Sequence, residues 1–293
     1  MRLARTIADL RDALETDRRA GRTIALVPTM GALHEGHLSL IRAAREQADV
    51  VVVSLFVNPT QFNDAADLRG SPRDEDGDAA LAQGAGADVL FAPGIDEVYP
   101  HGTATTVSVR GPLTETLEAA HRGTAHFDGV TTVVAKLLHI VGPDVAVFGR
   151  KDAQQALVVA QMVRDLNLPV RLDVRPTVRD ADGLALSSRN ARLDAAARER
   201  ALALPATLHA AAGELAAGSP AREVEARGLQ ALRDAGLEPE YLAIADPVTL
   251  TATDLPDALI LAAVTVDGVR LIDNVPAGAP TTIAIDAEVA TPA

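Results

Sequence analysis

Thr23-Ile-Ala-Leu-Val27 runs directly into Pro28-Thr-Met-Gly-Ala-Leu-His-Glu-Gly-His37 and then into Leu38-Ser-Leu-Ile-Arg-Ala-Ala-Arg45. A short apolar run, a turn with two glycines and an amphipathic stretch predict strand, loop and helix, the unit of an α/β fold. His34 and His37 fall at the start of the predicted helix, three residues apart and so on one face. A helix N-terminus presents backbone N–H groups that favour an anion. With two imidazoles beside it, this turn reads as a phosphate cradle, most naturally for a nucleotide. Gly36 leaves room for a ligand to approach the backbone.

The competing readings are weaker. A catalytic zinc usually takes three protein ligands, whereas His101, His121, His126, His139 and His209 are scattered and cysteine is absent. The HExxH zinc helix also needs histidines four apart. Two structural histidines remain the plain alternative. Glycines at a strand-to-helix turn tip the balance, because parallel α/β sheets bind ligands at such turns.

Composition sets outer limits. At 293 residues the chain can build two cores. A hydrophobic share of 48% with 23% charged residues is ordinary for a globular protein. Five Phe, two Tyr and no Trp leave Ala, Val and Leu to fill the interior. They also argue against single-stranded nucleic acid, which binds on aromatic platforms. A net charge of −13 disfavours nucleic-acid and anionic-membrane partners. Without cysteine there are no disulfides and no thioester chemistry. The N-terminal ten residues follow a helical pattern and lack a signal peptide's apolar core. No run approaches the ~18 apolar residues of a spanning helix. These features point to a soluble, cytoplasmic protein.

Along the first half, strands are expected at Thr23–Val27, Val50–Phe56, Val89–Ala92, Thr105–Val109 and Val145–Phe148. Helices are expected at Leu38–Gln47, Asp74–Gln83, Val130–Val141 and Ala153–Leu166. This rhythm implies a Rossmann-like, mostly parallel sheet with helices on both faces. After Pro176 the texture changes. Residues 191–236 are helical, with Asp194 a fitting N-cap. Tyr241–Ile244, Ala258–Val266 and Val269–Ile272 read as antiparallel strands, the last two joined by an Asp267-Gly268 hairpin turn. The expected division is a nucleotide-binding domain over 1–176 and a smaller α+β domain over 177–293.

Three further segments carry chemistry. Phe56-Val-Asn-Pro-Thr-Gln-Phe62 ends a strand and places Gln61 in a carboxyl-end loop, where its amide can donate to and accept from a hydroxy acid. Val147-Phe-Gly-Arg-Lys-Asp-Ala-Gln-Gln155 repeats the design with Gly149, a cationic Lys151, an Asp152 suited to a ribose hydroxyl, and Gln155 one turn on. Asp182-Gly-Leu-Ala-Leu-Ser-Ser-Arg-Asn190 offers two hydroxyls and a guanidinium, an oxyanion set. Taken singly, each is also explained as a polar turn, a solvated charged turn or a capping Ser-Ser. The acidic cluster Asp74, Glu75, Asp76 and Asp78 is a plain helix start or a source of one Mg²⁺ ligand. Gly84-Ala-Gly-Ala-Asp-Val89 precedes a strand and so does not make a dinucleotide loop, and no GxxxxGK[ST] loop exists.

In order and spacing, PTMGALHEGHLSLI, FVNPTQF, VFGRKDAQQ and PTVRDADGLALSSRN resemble the pantothenate synthetase (pantoate–β-alanine ligase) family, within the wider HxGH nucleotidylyltransferases. The resemblance runs from about residue 20 to Asn274. It implies a nucleotide-binding α/β domain, a C-terminal lid domain and a homodimer. It implies a two-step reaction on Mg-ATP: pantoate attacks the α-phosphate to give pantoyl adenylate and pyrophosphate, then β-alanine displaces AMP. By the same resemblance Met30, His34, His37, Lys151, Ser187, Ser188 and Arg189 lie at or beside the ATP phosphates. Gly149, Asp152 and Val178 hold the adenosine, Gln61 and Gln155 clasp pantoate, and Asp78 sits at a Mg²⁺ position. His34, His37, Lys151 and Arg189 form the implied catalytic set. Ser71, Arg150, Ala153 and Leu186 depart from the usual pattern (tyrosine, acidic, aromatic and methionine, respectively). Two rivals stand beside this reading: a nucleotidylyltransferase acting on a phosphorylated acceptor, and a non-catalytic ATP-binding module.

Overall fold

The computed structural model describes residues 1–62 and 74–278 together with the backbone of a strand at 283–285; Ser71 lies outside the described residues. Ten strands occur among them: β1 Arg2–Ala4, β2 Ile24–Thr29, β3 Val50–Leu55, β4 Val89–Phe91, β5 Val145–Gly149, β6 Arg171–Arg175, β7 Glu238–Ala245, β8 Leu259–Val266, β9 Val269–Pro276 and β10 Ile283–Ile285. The first sheet runs β1-β4-β3-β2-β5-β6-β10. Its first six strands are parallel, and β10 closes the edge antiparallel to β6. The second sheet is β7-β8-β9, antiparallel throughout.

The contacts divide the chain into two compact units. Residues 1–149 and 155–175 with β10 make the first; 150–154 and 176–278 make the second. A crossing near residue 176 therefore coexists with three others. The turn at 150–154 groups with the later residues, and β10 returns to the first sheet instead of continuing a separate 177–293 block.

In the first unit, strand order reverses between β2 and β5. Chain order steps outward through β3 and β4 on one side and through β6 on the other. Such a reversal opens a crevice at the carboxyl ends of the strands, the usual ligand position in open α/β sheets. β2 and β5 pair only at Ala25↔Val145 and Leu26↔Ala146, and the two strands part over Val27–Thr29 and Val147–Gly149. Pro28, which has no N–H to donate, sits where β2 has left β5. The core is built of Ala25, Val27, Val51, Val53, Leu90, Val145 and Val147 against Ile41 and Ala44, an aliphatic packing that matches the scarcity of aromatics.

The second unit packs the helices Ala195–Ala201, Ala203–Ala216 and Ala221–Asp234 with its sheet around Leu204, Leu208, Leu232, Ile260 and Val264. Asp194 caps the first of these helices by accepting from the Ala197 N–H at 2.8 Å. Asp267 and Gly268 both take positive φ (48° and 76°), as the tight hairpin turn between β8 and β9 requires.

Several elements differ from expectation. Thr105–Val109 joins no sheet. Val107 is held instead by side chains of the helix Thr124–Val141: its N–H donates to Thr132 Oγ1 and its carbonyl accepts from Thr131 Oγ1. The N-terminus forms β1 before its helix starts at Ile7, capped by a Thr6–Asp9 box. β6 hides in Arg-Leu-Asp-Val-Arg, where charges alternate with apolar residues. Asp173 is buried there and accepts from Gln47 (2.5 Å) and Arg175 (2.7 Å).

Candidate active site

In the first unit the chain leaves β2 at Thr29 and turns through Gly31 (φ +93°) and Ala32 (φ +52°). A Cβ at Gly31 would lie 3.0 Å from an Asp78 oxygen and 3.1 Å from Leu55, so position and backbone both require glycine. His34 then caps the helix Glu35–Arg45. Its Nδ1 accepts the Gly36 N–H at 3.2 Å, and its own N–H donates to His37 Nδ1 at 3.3 Å. The two rings lie 4.2 Å apart. Because each Nδ1 is an acceptor, the neutral form of each imidazole carries its proton on Nε2. Both rings are half-buried.

The backbone cradle expected at this turn is largely occupied from within the chain. Asp78 accepts from the N–H of Ala32 (2.9 Å) and of Leu33 (2.7 Å), and Gly36 N–H is taken by His34. What the turn offers an anion is therefore the imidazole pair. The Mg²⁺ position assigned to Asp78 does not fit this geometry. The residue is 5% exposed, each oxygen already faces an amide, and no group of three metal-binding side chains occurs among the described residues.

Gln61 ends a short helical turn, Pro59–Gln61. Its carbonyl accepts from His126 Nδ1 at 2.6 Å, and its side-chain oxygen accepts from Asn58 Nδ2 at 3.1 Å. Its amide nitrogen reaches the sulfur of Met30 at 2.8 Å, bringing two predicted site residues together. Asn58, only 1% exposed, is the hub of this turn and was missed by sequence reasoning. It donates to the Gly129 carbonyl as well as to Gln61, and accepts from Thr60 Oγ1 and from the Tyr99 hydroxyl at 2.9 Å. Burial pushes the Tyr99 hydroxyl up, which keeps it a donor. Gly129 is obligatory, since a Cβ would meet the Thr60 carbonyl oxygen at 2.5 Å. An Asn-Pro closing an apolar strand was the available signal for Asn58.

Gly149 ends β5 without a positive φ, and a Cβ there would meet only Leu40, at 3.8 Å. Packing within the protein does not demand this glycine. Gln155 is half-buried on the helix Ala153–Asp165.

In the second unit Lys151 and Asp152 belong to the short turn Arg150–Asp152, Lys151 half-buried and Asp152 exposed. Asn274 on β9 donates its side-chain N–H groups to the carbonyls of Arg150 (2.9 Å) and Lys151 (3.1 Å). Its neighbour Asp273 takes both guanidinium nitrogens of Arg179 at 2.6 and 3.0 Å. Two adjacent β9 residues thus tie down two predicted segments. Neither Asn274 nor Arg179 was assigned from sequence, although a polar Asp-Asn pair in a strand was a usable sign. Arg150 is buried, and desolvation lowers its guanidinium from the usual range.

Val178 lies in a closed loop, its carbonyl accepting from the Leu186 N–H at 2.9 Å. Ser187 caps the turn Ser188–Arg192 by accepting from the Arg189 N–H at 3.2 Å. Ser188 is exposed and Arg189 half-buried. Lys151, Ser187 and Arg189 line one cavity together with Asn190, Arg270 and Asp273.

The sequence matches the pantoate-beta-alanine ligase family over residues 2–276. The chain belongs to that family. A pantothenate synthetase of Cereibacter sphaeroides is 52% identical over 275 residues, 93% of this chain and 98% of the relative. One of Moorella thermoacetica is 51% identical over 279 residues, 94% and 98%. The solved pantothenate synthetase of Thermus thermophilus superposes with a TM-score of 0.89 at 46% identity, covering 94% of this chain and 99% of that one. The Francisella tularensis pantoate-beta-alanine ligase, solved with β,γ-ATP and β-alanine, gives 0.79 at 32% identity over 94% and 98%. These matches make the chain an enzyme of the ligase class. They set aside the nucleotidylyltransferase and the silent ATP-binding module.

Proposed function

We propose that this protein joins pantoate to β-alanine with the cleavage of ATP, through a pantoyl adenylate. In the first half-reaction the pantoate carboxylate attacks the α-phosphorus, forming a mixed anhydride as the α–β bridging bond breaks and pyrophosphate leaves. In the second, the β-alanine amine attacks the activated carbonyl, loses a proton and expels AMP. The observation that carries this reading is the family match across residues 2–276, with the imidazole pair standing at the end of β2 beside the strand-order reversal.

The roles follow from the chemistry of each group. His34 and His37, protonated on Nε2, donate to α-phosphate oxygens and stabilise the charge that grows there. Lys151, Ser187, Ser188 and Arg189 hold the polyphosphate and the departing pyrophosphate, with Met30 beside it. Gly149, Asp152 and Val178 hold the adenosine. Gln61 and Gln155 pair with the pantoate hydroxyls and carboxylate. Neutral amides suit such an acid, whereas a phosphorylated acceptor would call for cations. The nucleotide enters as its Mg²⁺ complex, the metal carried on phosphate oxygens, where it screens their charge. A homodimer and a cytoplasmic setting, where ATP is supplied, belong to the same proposal. Among the described residues no helix is long and apolar enough to cross a membrane.

Chromatographic detection of AMP and pantothenate tests the reading. Both products are expected only when ATP, pantoate and β-alanine are all present. AMP formed without pantoate, or ADP in place of AMP, would overturn it.

A further inference from the structure

We propose that Asp78 is a positioning residue for the paired imidazoles, not a metal ligand. Asp78 stands in the first turn of the helix Glu75–Ala85 and is nearly sealed from water. A buried carboxylate needs strong partners, and it finds them in two consecutive backbone amides, Ala32 and Leu33. Gly31 and Ala32 both hold positive φ, the second without glycine's freedom, so this turn needs an external tie. Consecutive amides in such a turn form a concave anion site. Here the chain fills that site with its own carboxylate.

From the tie the order passes along the backbone. Leu33 is bonded to Asp78, the next N–H is that of His34, and it donates to His37 Nδ1, while His34 Nδ1 accepts from Gly36. Asp78 therefore fixes the segment whose hydrogen bonds select the Nε2–H form of both rings. A carboxylate committed to two amides is poorly placed to serve as a hard ligand for Mg²⁺ as well, an ion that demands near-ideal octahedral geometry.

This inference rests on the ligase reading, and the wild-type enzyme's three-substrate requirement checks that reading separately. Asp78→Asn keeps the shape but turns one acceptor into a donor facing an amide N–H. Misplacing the imidazoles by ~1 Å is expected to lower kcat for pyrophosphate exchange about 100-fold, with KM for ATP and pantoate changed far less. Half-saturation by Mg²⁺ should be unchanged. The ¹⁵N NMR signals of His34 and His37, read without substrate, should lose the pure Nε2–H pattern. Rescue by excess Mg²⁺, wild-type kcat, or a kcat loss with unchanged histidine signals would each overturn the proposal. If Asp78→Asn does not fold, Gly31→Ala presses on the same contact from the loop side. It should give the same kcat loss at constant Mg²⁺ dependence, and wild-type kcat there would overturn the proposal too.

Discussion

The turn at His34 and the turn at Lys151 both follow a parallel strand, yet they are tied down with opposite polarity. At the first, a carboxylate and an imidazole consume backbone N–H groups of Ala32, Leu33 and Gly36. At the second, the Asn274 amide consumes the carbonyls of Arg150 and Lys151. The first arrangement removes main-chain donors from the turn, so that under the proposed roles phosphate recognition falls to the imidazoles. The second engages carbonyl oxygens that would otherwise repel a phosphate, which under the same proposal leaves the Lys151 ammonium to act. A charged tie to two amides is also stiffer than a neutral amide shared between two carbonyls. On the proposed assignment, chemistry at the α-phosphorus needs the stiffer placement, while a polyphosphate tolerates the looser one.

The comparison breaks most sharply at His37. His37→Ala removes a donor to charge that grows in the transition state, and pyrophosphate exchange should fall about 10²–10³-fold with the fold intact by circular dichroism. In the second unit, Arg179→Ala leaves Asp273 buried without its bidentate partner, at a cost of about 3 kcal/mol in denaturant unfolding. Arg179→Lys should recover only part, because an ammonium cannot reproduce the fork. Gln61→Ala should cost about 1–3 kcal/mol in kcat/KM for pantoate and little in the ATP parameters. Asp194→Ala, outside both turns, should cost about 1 kcal/mol of stability and no activity. A large kinetic effect there would mean that the turns are not the sites of chemistry.

The same contrast explains what the sequence reveals. Periodicity and turn chemistry located the β2 strand, its glycine turn, the helix after it, the Asp194 cap and the Asp267-Gly268 hairpin, because each depends on neighbours in sequence. The ties are long-range. Asp78 lies 45 residues from Leu33, and Asn274 lies 123 from Lys151. No local pattern separates them from acidic helix starts or polar strand ends. Hence the acidic cluster suggested a metal ligand where the fold uses a backbone clamp. β6 was lost for a related reason, since its buried Asp173 imitates a loop until Gln47 and Arg175 are seen to satisfy it. Thr105–Val109 has strand composition but finds threonine hydroxyls of a helix in place of a neighbouring strand.

On the proposed mechanism the adenylate is made by side chains that need nothing from the amine. The most direct measurement is exchange of labelled pyrophosphate into ATP by the wild-type enzyme. With pantoate present and β-alanine absent, label should enter ATP, and omission of pantoate should abolish the exchange. Exchange that appears only with β-alanine, or a phosphorylated pantoate formed together with ADP, would contradict the account.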